Sequence, residues 1–295
     1  MTATKNKKIN IGPLLVFISA LCFSTCGVAM KYVPWHAMAI NSARNCLGIL
    51  VLLVYLLATR HKIKINRAVL IGALAITLSQ IFFMFANKLT TAGNAIILQF
   101  TAPVWVIIFS IAVFKKKPSK IDLTAVVLVF AGVLCFFIDG LSEGNTLGNV
   151  MAVASGMTYS WVFLMNEDKE ADPISSTFIS MMLNIVIGLP WLIRTDLAAA
   201  TQSTWIALIV LGIVDVGLGY VLLAIGIQKT PAVAACLISG IEPIANPIWV
   251  ALIYGEILTP LAFIGAAIVF VTRLIYNVKL AKTAGDVAKD EIGIA

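Results

Sequence analysis

The chain alternates between long apolar segments and short polar gaps. A helix needs about 20 apolar residues to cross the hydrocarbon core of a bilayer. Ten segments of this kind can be marked, at residues 12–31, 36–58, 67–87, 93–114, 121–138, 147–165, 174–193, 204–226, 231–253 and 259–277. Several gaps are shorter than six residues, so neighbouring helices are predicted to pack as antiparallel hairpins. The pattern predicts an all-α polytopic membrane protein with ten transmembrane helices.

Composition excludes an ordinary soluble domain. Of the 295 residues, 60% are hydrophobic and 12% are charged, whereas about a quarter of the residues of a soluble domain are charged. The basic start and first apolar run, "KNKKINIGPLLVFISALCF", could be misread as a signal peptide. No clear small-residue cleavage site follows the run, so it is interpreted as the first transmembrane helix.

The distribution of basic residues predicts the orientation. With the N-terminus inside, inner segments hold sixteen of the 21 Lys and Arg residues and outer segments hold three, while Arg44 and Arg273 fall within spans. Basic residues concentrate on the cytoplasmic side of membrane proteins. Both termini are therefore expected in the cytoplasm, with "FIDGLSEGNT" outside. This bias also accounts for the net charge of +7 without a nucleic-acid partner.

An internal repeat is visible at an offset of 140 residues. Residues 90–114 then lie over 230–254, and Pro103 meets Pro243. Each copy holds five predicted helices, and an odd number requires the copies to enter the membrane in opposite directions. Inverted-topology repeats of this kind are found in many secondary transporters, with the binding site near the midplane at the repeat interface. The alternative is the general likeness of all apolar helices.

Two segments carry a resemblance to a known family. "TTAGNAIILQFTAPVWVII" and "TPAVAACLISGIEPIANPIWVALIYGEILTPLAFIGAAIVF" resemble the EamA type of the drug/metabolite transporter superfamily. Pro243 and Glu256 match the family's mid-helix proline and helix-end glutamate. Pro103 matches the proline in the first copy, but Lys116 stands where that copy would carry the glutamate.

The resemblance implies a transporter of small organic solutes, often an exporter, in the cytoplasmic (inner) membrane of a bacterium. It covers nearly the whole chain as two five-helix repeats. These are expected at residues 1–140 and 141–280, followed by a cytoplasmic tail at 281–295.

Three ionisable residues fall deep within predicted spans. Glu242 and Asp215 lie at the middle of theirs, and Arg44 lies about one turn from the middle of its own. A charge at the membrane centre costs about 2.5–3.5 kcal/mol on insertion scales, so such residues are functional candidates. The positions 140 residues before the two acids hold Ala102 and Ala75. The acids are thus confined to one half.

Two prolines follow Glu242 directly in the sequence. Pro243 and Pro247 remove backbone N–H groups and displace carbonyls of the preceding turn, and Pro103, Pro243 and Pro247 are predicted to kink their helices. Freed carbonyls inside a membrane are tolerated only against protein or a water-filled cavity. Asn246 lies one turn from Glu242 on the same face. Acid, amide and carbonyls are therefore expected to point into one pocket.

The three charges are predicted to share this central pocket. An unpaired buried charge neutralises or finds a partner or water, and Asn41 lies on the same face as Arg44. The guanidinium suits a substrate carboxylate, and either acid suits a substrate amine or a proton, which together favour an amino acid or similar zwitterion. The alternative is an ion pair between Glu242 and Arg44 that only joins helices. Other candidates for the pocket wall are Trp105, Trp161, Tyr159 and Tyr220.

Other function classes fit the sequence poorly. Asp139 and Asp215 invite comparison with an intramembrane aspartyl protease, but Asp139 falls at a span end and "VDVGLGY" lacks the Gly-x-Gly-Asp arrangement. No ring of charges or carbonyl filter indicates a channel. The cysteine spacing gives no metal motif, and no metal or cofactor is expected. The sequence therefore favours a secondary transporter that works by alternating access, not an enzyme.

Overall fold

The computed structural model describes residues 10–30, 32–90, 92–137 and 146–254, together with 260–261, 264–265, 267–272, 275–276 and 279. Every regular element in these residues is helical. The helices are α1 (Gly12–Phe23), α2 (Cys26–Met30), α3 (Ala37–Thr59), α4 (Arg67–Leu89), α5 (Ala92–Gln99), α6 (Ala102–Ala112), α7 (Lys120–Phe137), α8 (Thr146–Leu164), α9 (Pro173–Leu192), α10 (Gln202–Ile209), a π-helical segment (Val210–Gly219), α11 (Tyr220–Ile227), α12 (Ala232–Ser239) and α13 (Glu242–Tyr254).

The predicted all-α membrane architecture is confirmed. Within the described residues, six helical stretches are long and apolar enough to cross a membrane, at Gly12–Met30, Ala37–Thr59, Arg67–Leu89, Thr146–Glu167, Pro173–Leu192 and Gln202–Ile227. The predicted spans at 93–114 and 231–253 each consist of two shorter helices. The predicted span at 259–277 lies partly outside the described residues. The count of ten transmembrane helices therefore stays a prediction.

Two broken helices occupy equivalent places in the internal repeat. Helix α5 ends at Gln99 and α6 begins at Ala102, while α12 ends at Ser239 and α13 begins at Glu242. Both breaks fall at the same offset of 140 residues that the sequence repeat shows. The two halves thus interrupt the same span at the same place, and Glu242 stands directly after the second break.

The prolines begin helices at these breaks. Pro103 is the second residue of α6 and Pro243 the second residue of α13. The first N–H groups of a helix have no intrahelical partner, so a proline in the first turn loses no hydrogen bond. The predicted kink is therefore a two-residue interruption followed by a new helix. Pro247 lies farther along α13, where its side chain is outside the described residues.

The contacts between the two halves come in equivalent pairs: where an element of the first half packs on an element of the second, their counterparts also pack on each other. Helix α4, from the third span of the first half, packs on α8, and the π segment with α11, from the third span of the second half, packs on α1. Contacts of α5 and α6 with α8 likewise match the contact of α12 with α1, and α3 packs on its counterpart α9. Such pairs arise when a two-fold relation connects two similar halves.

A glycine permits a close approach of α8 to the first break. A Cβ atom on Gly156 of α8 would lie 2.5 Å from the carbonyl oxygen of Gln99 and 2.9 Å from Oγ1 of Thr101. Because both groups belong to the interruption between α5 and α6, only a residue without a side chain fits there. Helix α8 therefore covers this break with protein, as broken helices in a membrane require.

Candidate functional site

The guanidinium of Arg44 lies in the interior with all three nitrogens hydrogen-bonded. Its Nη1 donates to Oδ2 of Asp215 at 3.0 Å and forms an ion pair with it. Its Nε and Nη2 donate to Oδ1 of Asn41 at 3.2 and 3.1 Å, and Nη2 also donates to Oε1 of Gln80 at 3.2 Å. The side chains of Arg44 and Asp215 are only 4% and 5% exposed. The arginine is thus neutralised and held within the protein.

Amide side chains extend this network across three helices. Asn41 donates from Nδ2 to Oδ1 of Asn184 on α9 at 2.7 Å, and Asn45 donates to Oε1 of Gln80 on α4 at 2.9 Å. The Nε2 group of Gln80 and Oδ1 of Asn45 are buried without a hydrogen-bond partner among the described residues. Asn184, Gln80 and Asn45 thus belong to one network with Asn41 and Arg44.

Asp215 reaches Arg44 from the π-helical segment. This segment runs for ten residues, from Val210 to Gly219, and π-helical turns are rare and frequently occur at functional sites. Gly212, within the segment, lies so close to α3 that a Cβ atom there would meet Cβ of Leu47. The close approach brings the segment and α3 together at the depth of the Arg44–Asp215 pair.

Glu242 shares a cavity with this ion pair. Arg44, Asp215 and Glu242 all line it. Four aromatic side chains contribute to its wall: Phe23, Phe83, Tyr159 and Tyr220. Within the described part of the chain, Glu242 has no ion pair and no hydrogen bond through its side chain. The cavity therefore contains one neutralised pair of charges and one carboxylate that stands alone.

A second cavity meets the first at Glu242. It shares Gln99, Tyr159 and Glu242 with the first cavity. The remaining wall is mostly apolar and includes Phe163. Two hydroxyl groups in this wall, Tyr159 OH and Ser239 Oγ, are buried and have no hydrogen-bond partner in the described residues. Glu242 thus stands between a polar cavity and a largely apolar one.

The structure brings together three of the five residues that the sequence placed in a pocket. Glu242, Arg44 and Asp215 line one cavity. Asn41 lies behind Arg44 as its hydrogen-bond partner. Asn246 is buried elsewhere, against Gly27 of α2, because its side chain occupies the place where a Cβ of that glycine would be. The alternative pairing of Arg44 with Glu242 is wrong, because the partner of the arginine is Asp215.

Among the aromatic candidates, Tyr159 and Tyr220 line the cavity. The two tryptophans pack on Phe109 instead, with ring centroids 6.1 Å away for Trp105 and 5.6 Å away for Trp161. Gln99 and Ser239 also line the cavities beside Glu242, although neither was predicted as a site residue. Their signal is positional, because each is the last helical residue before one of the two equivalent breaks.

Comparisons with a protein family and with individual relatives both point to transporters. The sequence profile of the EamA-like transporter family matches residues 10–138 and again residues 146–278. The chain is 26% identical to an uncharacterized transporter of Archaeoglobus fulgidus over 90% of this chain and 95% of that protein. It is also 26% identical to the uncharacterized transporter YwfM of Bacillus subtilis, over 92% of this chain and 95% of that protein.

A solved crystal structure shares the fold. It covers 90% of this chain and 97% of its own, with a TM-score of 0.78 at 14% sequence identity. At this level of identity the likeness concerns the arrangement of the helices. The two profile matches leave only 139–145 between them, so the internal repeat coincides with two copies of the same family unit.

Proposed function

Because the chain belongs to the EamA-like transporter family, we propose that it is a secondary transporter that exports a small organic solute by alternating access. The solute binds in the cavity beside Glu242. The membrane is the cytoplasmic membrane of a bacterium, and both termini lie on the inner side. The relatives that carry a name are described as transporters, which supports the general activity, and the features below support the mechanism.

The observation that carries the proposal is the lone carboxylate of Glu242 at a helix break. A carboxylate within a membrane protein is costly and marks a substrate or ion pathway. Glu242 lies directly after the break between α12 and α13, and the cavity that it lines also has walls from α3 and α4 of the other half. A site shared by two repeats is what rocking of one repeat against the other requires.

Glu242 is also the candidate group for coupling. A single carboxylate binds one positive charge, which is either a proton or a cationic group of the solute. Arg44 has a different role from the one expected from the sequence. Its nitrogens are used by Asp215, Asn41 and Gln80, so it holds helices and the neighbouring acid in place. The amino-acid-like zwitterion that the sequence favoured therefore loses its anchor for a carboxylate.

The test is solute counterflow into proteoliposomes, measured with a panel of metabolites. A carrier gives saturable flux and counterflow, whereas a channel gives neither. Glu242→Gln keeps the shape of the side chain and removes its charge, so we expect flux to be abolished or its pH dependence altered. Glu167→Gln is the matched control, because Glu167 pairs with Lys116 outside the cavity. Full flux by a well-folded Glu242→Gln protein, unchanged across pH, would overturn the proposal.

A further inference from the structure

We infer that the solute is an organic cation: a protonated amine that carries an apolar group. Its ammonium group binds Glu242, and its apolar group packs against the apolar wall of the second cavity. The inference rests on the transport function proposed above and narrows the class of solute. It follows from three observations: the charge left over in the site, the aromatic and hydroxyl groups around Glu242, and the different polarity of the two cavities.

The charges of the first cavity favour a cation. Arg44 and Asp215 neutralise each other at 3.0 Å, and Glu242 is the remaining ionisable carboxylate of the cavity wall. Asn41 and Gln80 hold Nε and Nη2, and Nη1 contacts Asp215 and, at 4.0 Å, Sγ of Cys26, so a substrate carboxylate would compete with Asp215 for Nη1. It would then leave a buried carboxylate without its partner, which is strongly unfavourable. An ammonium group gives Glu242 a partner and disturbs no existing pair.

The wall of the first cavity suits a cation as well. Phe23, Phe83, Tyr159 and Tyr220 present aromatic rings around the space that Glu242 faces. Aromatic faces attract ammonium groups, and the attraction grows when the cation has lost its water. Phe23 and Tyr220 meet edge to face, with ring centroids 4.9 Å apart, so these two rings hold each other in position. The same ring faces repel a carboxylate.

Unused hydroxyl groups supply further acceptors. Tyr159 OH and Ser239 Oγ are buried without partners in the described residues, and both line the second cavity together with Glu242. A primary ammonium group has three N–H donors and no acceptor. One carboxylate and two hydroxyl oxygens match that number. Buried hydroxyls without partners are costly, so a bound ammonium would satisfy groups that the protein alone leaves unsatisfied.

The wall of the second cavity offers an apolar surface to the rest of the solute. Its wall includes Phe100, Phe163 and Pro243 beside Glu242. An apolar substituent attached to the amine can therefore be buried away from water. It would lie on the side of Glu242 that is away from the Arg44–Asp215 pair. A solute with the amine at one end and a ring or short alkyl chain at the other fits this division between a charged and an apolar region.

The experiment uses four probes of similar size that differ in charge. These are 2-phenylethylammonium, the zwitterion phenylalanine, the anion 3-phenylpropionate and the neutral 2-phenylethanol. Binding to the purified protein in detergent is measured by calorimetry, separately from any flux. We expect 2-phenylethylammonium to bind at least tenfold more tightly than the other three. Glu242→Gln should lower its affinity at least tenfold, whereas Glu167→Gln should leave it unchanged.

A second variant distinguishes loss of the charge from loss of the fold. Glu242→Asp keeps the charge, and we expect it to retain a measurable part of the preference for the cation that Glu242→Gln loses. Tyr159→Phe removes one hydroxyl acceptor and should weaken binding of the primary amine more than that of its N,N,N-trimethyl derivative, which has no N–H to donate. Preferred binding of 3-phenylpropionate or phenylalanine, or cation binding that Glu242→Gln does not change, overturns the inference.

Flux of the same probes separates this inference from the proposed function. Binding of 2-phenylethylammonium that depends on Glu242, without saturable flux of any solute in proteoliposomes, would contradict the transport function and leave the cation site standing. Saturable flux of an anionic or neutral solute that amines do not inhibit would support the transport function and overturn the cation site. Flux of amines that compete with one another supports both.

Discussion

At the scale of single residues, oxygen atoms from three elements hold the Arg44 guanidinium. They belong to Asn41 on its own helix, Gln80 on α4 and Asp215 in the π segment. Each of these bonds is charge-assisted, and such bonds are about twice as strong as bonds between neutral groups. The arrangement makes Arg44 a connection between both halves of the molecule, and its loss is expected to affect stability before it affects recognition.

The first prediction concerns the ion pair of Arg44 and Asp215. Arg44→Met or Asp215→Asn should each destabilise the protein by about 3–5 kcal/mol, because breaking a buried pair leaves an uncompensated charge or an unsatisfied polar group. The double variant Arg44→Met/Asp215→Leu should recover much of that loss. Unfolding in detergent by denaturant or heat measures the effect. Lys116→Met, which breaks the exposed ion pair with Glu167, should cost no more than about 1 kcal/mol.

A double variant as unstable as Arg44→Met alone would contradict this account. It would mean that the amide network, and not the ion pair, accounts for the stability. The further variant Asn41→Ala would then be expected to match Arg44→Met.

Single residues of the site could be found from the sequence, but their partners could not. A charge inside an apolar segment is visible without a structure, which identifies Glu242, Arg44 and Asp215. Arg44 could reach either acid from its helix, and the close packing of the π segment on α3 decides for Asp215. Asn246 shows the same limit. Helical spacing put it on the face of Glu242 but could not show that Gly27 of α2 lies opposite.

At the scale of elements, the two helix breaks position the site. The sequence predicted distortion at the correct prolines, because Pro103 and Pro243 align at the offset of the repeat. It predicted kinked helices, whereas each break falls in the two residues before the new helix, and the proline is the second residue of that helix. The π segment had no comparable signal. Its ten residues read as ordinary apolar helix, and only packing between helices reveals the wider turns.

The second prediction tests the seal at the first break. Gly156→Ala places a methyl group 2.5 Å from the carbonyl oxygen of Gln99, and a backbone atom cannot move aside as a side chain can. We expect a loss of about 1–3 kcal/mol, the usual range for overpacking, measured by unfolding in detergent. Ala58→Val is the control, because it enlarges an exposed residue of α3. Unchanged stability of Gly156→Ala would show that α8 does not seal the break.

At the scale of the whole molecule, the sequence predicted two similar halves, and the family profile matches the chain twice. The equivalent pairs of contacts between the halves, such as α4 with α8 and α1 with α11, agree with a two-fold relation. The direction of that axis in the membrane depends on the number of spans and on the orientation of the chain. Both stay predictions, because part of the last predicted span lies outside the described residues.

The third prediction tests the orientation. In a variant without native cysteines, Ser142→Cys should react with an impermeant thiol reagent applied to intact cells. The reason is that sixteen of 21 basic residues would otherwise face outside, against the distribution found in membrane proteins. Glu170→Cys, in a segment predicted to be inside, should react only after permeabilisation. The opposite pattern, with Ser142→Cys labelled only from inside, would refute the ten-span topology.

The pairing of Arg44 with Asp215 also has an electrical consequence. With Glu242 ionised, the empty site has one net negative charge, and a bound monovalent cation makes it neutral. The membrane potential does about 2.3 kcal/mol of work on each elementary charge per 100 mV. Under the proposed export of a cation, an inside-negative voltage opposes the return of the empty, negative site. A proton carried inward on Glu242 removes that opposition, and the complete cycle then moves no net charge.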